Sequence, residues 1–246
     1  MRVRGLVPYR EYSWSAKTLS RHGTLHVSRV AEGDFELSTL TGSPADCANL
    51  GVHHLAATKP SLVISGVNMG SNAGLSFLLS SGTVGATIEA ALCGVPAVAF
   101  SMQLSAHVYK QWRSERRLEA MDHLWTTAAT ISAQISEEVL RSGLPHRASL
   151  LTVNMPETCE VSTPRRFGRL TPTTYGSFFK QLEEGVFDHQ YNGYQVLDDD
   201  GLGDIELLDS GDVSLTAIRL DLDAGAISDV DRQRFEQPLS GQPRAS

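Results

Sequence analysis

A doubly wound α/β fold on a mostly parallel sheet is the class this sequence predicts, on three observations. Strand-like and helix-like signals alternate up to Pro156, the order that gives a parallel sheet with helices on both faces. Two apolar runs, residues 62–64 and 95–100, bracket a Gly/Asn/Ser-rich loop and a small-residue helix. Leu118, Met121, Trp125, Ala128, Ser132, Ile135 and Val139 recur every three or four residues, one helical stripe facing a core.

Taken in order, residues 3–7 form a first strand stopped by Pro8, and a polar loop follows to Lys17. Short strands are expected at 26–30 and 35–37. Thr41-Gly42-Ser43-Pro44-Ala45-Asp46 starts a helix: Ser43 caps, Pro44 suits the first turn, and Asp46 sits near the positive end of the dipole. That helix is expected to reach Ala57, ended by Lys59-Pro60. After the strand at 62–64, a loop from Ser65-Gly66 to Ser80-Ser81-Gly82-Thr83 leads into a helix at 84–93, stopped by Gly94, and the strand at 95–100. One long helix over 115–141 carries the apolar stripe, and a strand at 150–153 closes at Asn154-Met155-Pro156. Beyond it, 157–200 is turn-rich and aromatic (Phe167, Tyr175, Phe178, Phe179, Phe187, Tyr191, Tyr194), which reads as extended β arms or an oligomerisation hairpin. A last strand at 213–220 and a short helix with a frayed polar tail complete the chain. The expected organisation is a core over 1–156, an arm extension with the final strand over 157–223, and a C-terminal helix and tail over 224–246.

The 246 residues carry a net charge of −7, which argues against broad binding to a nucleic-acid duplex. The locally basic start (Arg2, Arg4, Arg10, Lys17, Arg21, Arg29) reads as a solvated face. Cys47, Cys93 and Cys159 have no CxxC spacing and make neither a disulfide framework nor a zinc site. No apolar stretch reaches the roughly 18 residues of a membrane span, and no signal-peptide core follows Met1. The expectation is a cytoplasmic protein with no membrane partner.

Familiar catalytic motifs are missing. There is no GxxxxGK[ST], the glycines at 66, 70 and 74 do not spell GxGxxG, and no GxSxG occurs. His53 and His54 are adjacent, so on a helix they diverge and cannot chelate together. Asp198-Asp199-Asp200-Gly201 reads as a solvated turn. The loop after residue 64 is more promising. Asn68, Asn72, Ser81 and Thr83 offer neutral oxygens and donors, and the N–H groups near Gly82 and Thr83 lie at a helix start, a set suited to a phosphate or a hard cation. Caps and turns made by the same side chains are the alternative reading.

The motifs SGVNMGSNAG and SSGTVGATIEAALCGVPAVAFS closely resemble the SurE family of metal-dependent 5′/3′-nucleotidases. TGSPADCANLG (41–51), LLTVNMP (150–156) and GDIELLDSGDVSLTAI (203–218) resemble further segments of that family in the same order. The resemblance implies a SurE-like, Rossmann-like core with arms that join subunits into a homodimer or homotetramer. It implies hydrolysis of nucleoside monophosphates or other small phosphate esters with a divalent cation, Mg²⁺ or Mn²⁺. By resemblance Ser13 and Asn68 hold the metal, and Asn72, Ser81, Gly82 and Thr83 cradle the phosphate.

Two departures accompany it. The family's first strand, with an NDDG loop that supplies an acidic metal-ligand pair, has no counterpart in these residues, so the core is expected to be N-terminally incomplete. Tyr9, Tyr12 and Trp14 stand where the family usually has Asp, Arg and a small residue. The expectation is therefore a phosphomonoesterase impaired in the chain as given, its catalytic acids unknown. The alternative is a catalytically silent phosphate- or nucleotide-binding or scaffold relative.

Overall fold

The computed structural model describes residues 3–30, 35–115, 121–198, 201–222, 225–226 and 228–235. Its N-terminal part holds β1 (Arg4–Pro8), β2 (Val27–Val30), β3 (Glu36–Leu40) and α1 (Pro44–Leu50), extended by a π-helical turn over Gly51–Leu55. The central part runs β4 (Val63–Met69), α2 (Leu75–Ser80), α3 (Gly82–Leu92), β5 (Ala97–Gln103), α4 (Ala106–Glu115), α5 (Asp122–Ser142) and β6 (Leu150–Pro156). Short strands follow: β7 (Arg165–Phe167), β8 (Thr173–Thr174), β9 (Phe179–Glu183), β10 (Val186–His189) and β11 (Gln195–Val196). Then come α6 (Asp204–Asp209), β12 (Val213–Ile218) and α7 (Asp229–Phe235).

The main sheet has the order β4-β5-β6-β12-β7; β4, β5 and β6 run parallel and β12 is antiparallel to β6. Strand alternation on β5 explains its two faces. Val98, Phe100 and Met102 pack with Ala128, Ile131, Ile135 and Val139 of α5. Ala97 and Ala99 pack with Val84, Ala86 and Ala90 of α3, where small residues on both sides let the helix lie close. Helices on both faces make the core doubly wound.

A second sheet, β1-β3-β2, stands apart, with β1 parallel and β2 antiparallel to β3. Among the described residues β1 pairs only with β3 and β4 only with β5. Both strands line one cavity of about 1860 Å³, which Cys47, Ala48 and Val52 border near α1 and Ala133, Ser136 and Leu140 border on α5. Among the described residues the strands expected in one sheet thus fall in two, with the cavity between them.

Several expectations differ from the structure. The long helix expected over 115–141 is α5, which starts at Asp122, residues 116–120 lying outside the described residues; α4 is an additional helix that starts after Ser105, whose hydroxyl accepts from Val108 N–H. Helix α1 ends at Leu50 and continues only as the π-helical turn, on which His53 and His54 are exposed and point to no shared ligand. The loop contains α2, which sequence periodicity over six residues is too short to reveal. The last strand, β12, pairs antiparallel with β6 in the main sheet. Asp199 and Asp200 of the acidic turn lie outside the described residues, and Asp198 is exposed.

The entry to α1 is tied down by one buried carboxylate. Asp46 accepts from Ser43 N–H (2.8 Å), Ser20 N–H (3.0 Å) and the Ser20 hydroxyl (2.6 Å), while Ser43 Oγ accepts from Asp46 N–H, a reciprocal capping box. Burial pushes the Asp46 carboxyl up, but these hydrogen bonds together outweigh it and hold the group below its ordinary 3.8. A depressed folded value means the stabilisation is present above the unfolded value and lost as pH falls through the folded one. Asp46→Asn is therefore expected to destabilise by about 1–3 kcal/mol at pH 7. The gap to the parent should shrink below about pH 4, as urea midpoints at pH 7 and pH 3 will show.

Candidate functional site

The site forms where the chain leaves β1 and β4 and enters α3. Ser81 has extended backbone (φ −73°, ψ 127°) and its hydroxyl accepts from Val84 N–H, which starts α3. The next two N–H groups, of Gly82 and Thr83, lie in the first helical turn, where no carbonyl of the helix can reach them. The segment from Tyr12 to Lys17 is laid across this turn, with Ala16 N–H donating to the Ser80 carbonyl at 2.9 Å. A Cβ on Gly82 would lie 2.9 Å from Ser15 Oγ and 3.0 Å from the Tyr12 carbonyl oxygen. One on Gly85 would lie 2.4 Å from the Ala16 carbonyl oxygen. Both glycines are thus required for close packing of the Tyr12–Lys17 segment on the helix.

Lys17 locks that segment from below. Its ammonium lies 2.7 Å from the buried Glu89 carboxylate on α3, which also accepts from Asn49 Nδ2 at 2.8 Å. Burial pushes the Glu89 carboxyl up, and the bonds from Lys17 and Asn49 outweigh it and leave the group lowered. Burial, aided by the Asp46 charge, pushes the Cys47 thiol up to about 12.

Ser13, Asn68, Asn72, Ser81, Gly82 and Thr83 all line the cavity between the sheets. Their individual bonds differ from what the motifs suggest. Ser13 donates its hydroxyl to Glu11 (2.7 Å), and Arg113 grips Glu11 through two contacts of 2.5 and 2.6 Å. Asn68 donates to the Gly70 carbonyl at 2.8 Å. Asn72 is buried; its amide donates to Ser101 Oγ (2.6 Å) and its backbone N–H to Asn154 Oδ1 (2.8 Å). It therefore holds the loop onto β5 and β6, a structural task that the motif alone does not reveal.

A divalent cation does not fit the donors present. A hydroxyl, an amide and one carboxylate already paired with Arg113 are what the described residues offer here, and Mg²⁺ or Mn²⁺ needs several anionic oxygens. No group of three or more His, Cys, Asp or Glu among the described residues is arranged to hold a metal ion.

Beside the cradle stands an aromatic wall. Trp14 lies 5.6 Å from Phe77, 5.0 Å from Phe178, 5.7 Å from Tyr191 and 6.1 Å from Tyr175, centroid to centroid. Phe77 lies 5.4 Å from Tyr194. Ser80 donates its one proton to the Ser76 carbonyl, so Tyr175 is the donor in its 2.8 Å bond to Ser80 Oγ. Burial, then the charges of Asp209, Glu206 and Asp204, hold the Tyr194 phenol above its ordinary value and keep it neutral.

A family model described as survival protein SurE matches residues 1–176. The chain belongs to the SurE family. Similar curated proteins include the 5′-nucleotidase SurE of Geobacter sulfurreducens, 38% identical over 152 residues, which are 62% of this chain and 51% of that protein. Another is the 5′-nucleotidase SurE of Geotalea daltonii, 31% identical over 229 residues, covering 88% of this chain and 82% of that one. The chain thus spans about half the length of the first relative in their match and most of the second. Among solved structures, the SurE protein of Aquifex aeolicus superposes with a TM-score of 0.66 at 24% identity, over 93% of this chain and 85% of that one, a likeness of fold.

On this SurE frame, three residues that sequence reasoning missed hold the site together. Glu11 orients Ser13, and nothing in its spacing announces that. Asn154 is fully buried at the end of β6 and anchors Asn72; its place in the LLTVNMP segment was the available signal. Asp204, fully buried at the start of α6, accepts from Gly74 N–H and Thr171 N–H at 3.0 Å each and staples the loop to the arm.

Proposed function

We propose that this SurE-family chain binds nucleoside monophosphates, with the phosphate at the first turn of α3. Gly82 and Thr83 N–H groups, the Thr83 hydroxyl and the Ser81 cap would receive it. The carrying observation is that the six motif residues, distant in sequence, line one cavity at a helix start of eleven residues. Helix N-termini favour anions through free N–H groups and the dipole. The activity this supports is that of a phosphomonoesterase. Residues 1–246 by themselves are expected to be a weak one, because the donors around Ser13 and Asn68 lack the carboxylates that a metal-assisted hydrolysis needs.

Two measurements test this. Direct titration should show saturable binding of a nucleoside monophosphate without metal. Thr83→Val should weaken that binding about tenfold or more, the worth of one hydrogen bond to a charged group. Phosphate release should stay near background with Mn²⁺ as with chelator. Robust Mn²⁺-dependent release would refute the impairment, and absence of binding would refute the cradle. Binding without any hydrolysis would favour the second reading, a silent phosphate-binding relative.

The β9–β10 hairpin supports self-association. It is exposed throughout and presents Phe179, Leu182, Val186 and Phe187 to solvent. A homodimer or homotetramer through these arms is the assembly we propose. No helix among the described residues is long and apolar enough to cross a membrane.

A further inference from the structure

We propose that Trp14, with Phe77, Tyr191 and Tyr194 beside it, is the stacking platform for the base of the bound nucleotide. The inference rests on the phosphate reading above and deepens it. It names the residue that makes the ligand a nucleotide and not a bare phosphate ester.

The indole is held out on purpose-built backbone. Trp14 has a φ of 58°, in the left-handed region that bulky side chains rarely adopt, and Ala16 follows at 50°. Two bonds maintain this turn: the Ser15 hydroxyl donates to the Tyr12 carbonyl (2.9 Å) and Ala16 N–H to the Ser80 carbonyl (2.9 Å). A tryptophan with four aromatic neighbours would ordinarily be covered by them. Here Trp14 remains 43% exposed, and Tyr191 and Tyr194 39% each. Trp14, Phe77, Tyr191 and Tyr194 also line the cavity that contains the phosphate cradle.

Two short links fix the wall against that cradle. Trp14 directly follows Ser13, and the Tyr175 hydroxyl bonds Ser80, the residue before the Ser81 cap. A flat, neutral ring surface beside an anion site matches a flat aromatic base carried on a phosphorylated sugar. The exposed rings of the hairpin do not compete for this role, since Phe179 and Phe187 line a separate cleft with Ser177.

The test compares AMP with ribose 5-phosphate, which shares the phosphate and sugar and lacks the base. Both are titrated against the full chain by calorimetry, with quenching of tryptophan fluorescence as a second readout. A base stacked on an aromatic side chain is worth a factor of about five to one hundred in affinity. AMP is therefore expected to bind about tenfold more tightly than ribose 5-phosphate. Trp14→Leu, which keeps an apolar side chain in the cluster, should bring the two within about twofold and leave ribose 5-phosphate binding unchanged. Trp14→Phe should retain most of the preference and guards against a variant that fails to fold. Equal affinities in the parent chain would overturn the proposal while leaving the cradle intact. A preference that survives Trp14→Leu would overturn the role of Trp14. Failure of both ligands to bind would remove the phosphate reading, and the proposal with it.

Discussion

Gly66→Ala is expected to destabilise the chain by about 3 kcal/mol or more, a fall in thermal midpoint of about 6–12 °C for a domain of this size. Two effects add. Gly66 has a φ of 115°, where an L side chain is strained whatever the space around it. A Cβ there would also lie 2.2 Å from the Phe100 carbonyl oxygen, which belongs to β5, a strand paired on both sides with little freedom to retreat. The glycine exists because β4 is bulged: the register passes from Ser65↔Ala99 directly to Asn68↔Ser101, leaving two residues opposite Phe100. Undoing the bulge would also disturb the bond from Asn68 to the Gly70 carbonyl. Gly143→Ala is the control. Gly143 also has positive φ (82°, with ψ 179°), but an added Cβ meets nothing within 4 Å, so only the backbone penalty of that glycine-favouring conformation, about 1–3 kcal/mol, applies. Equal losses in the two variants would show that the approach to Phe100 is unimportant.

The second large effect concerns the opening between the sheets. Strand β1 has five residues and β4 seven, and among the described residues each pairs along one edge and lines the same cavity. Both run toward the candidate site, since Ser13 follows β1 and Asn68 ends β4, so one parallel strand can pair with both. Helices border the opening on both sides, and a strand buried on both faces is apolar at nearly every position. A synthetic peptide of seven apolar, β-branched residues ending in Asp-Asp is thus expected to raise the thermal midpoint with concentration. At a hundredfold excess over its dissociation constant the gain is about 2.7 kcal/mol, or about 5–10 °C. Its two carboxylates would arrive beside Ser13 and Asn68 and should raise Mn²⁺-dependent phosphate release above background. A peptide of the same composition with prolines at alternate positions cannot donate to either edge and should do neither. If both peptides act alike, the two edges do not accept a strand.

Much of this protein was legible in residues 1–246 as written. The alternating apolar runs, the Ser43-Pro44-Ala45-Asp46 helix start and the Ser81-Gly82 entry to α3 are local signals, and each appears in the structure where its chemistry placed it. Less legible were α2 and α6, six residues each, too short for a periodic pattern, and α4, which lies ahead of the expected long helix.

The sequence by itself determined the fold class, the family and which side chains could meet at the head of α3, because caps, glycines and strand alternation act over a few residues. Only the tertiary structure decided what those side chains do. It showed Asn72 bound to Ser101 and Asn154, 29 and 82 residues away, and Ser13 tied through Glu11 to Arg113, 102 residues from that carboxylate. It also turned Trp14 from a local oddity into the centre of an aromatic wall drawn from three segments of the chain. Contacts between segments so far apart are set by how sheets and helices stack, and no local pattern encodes them.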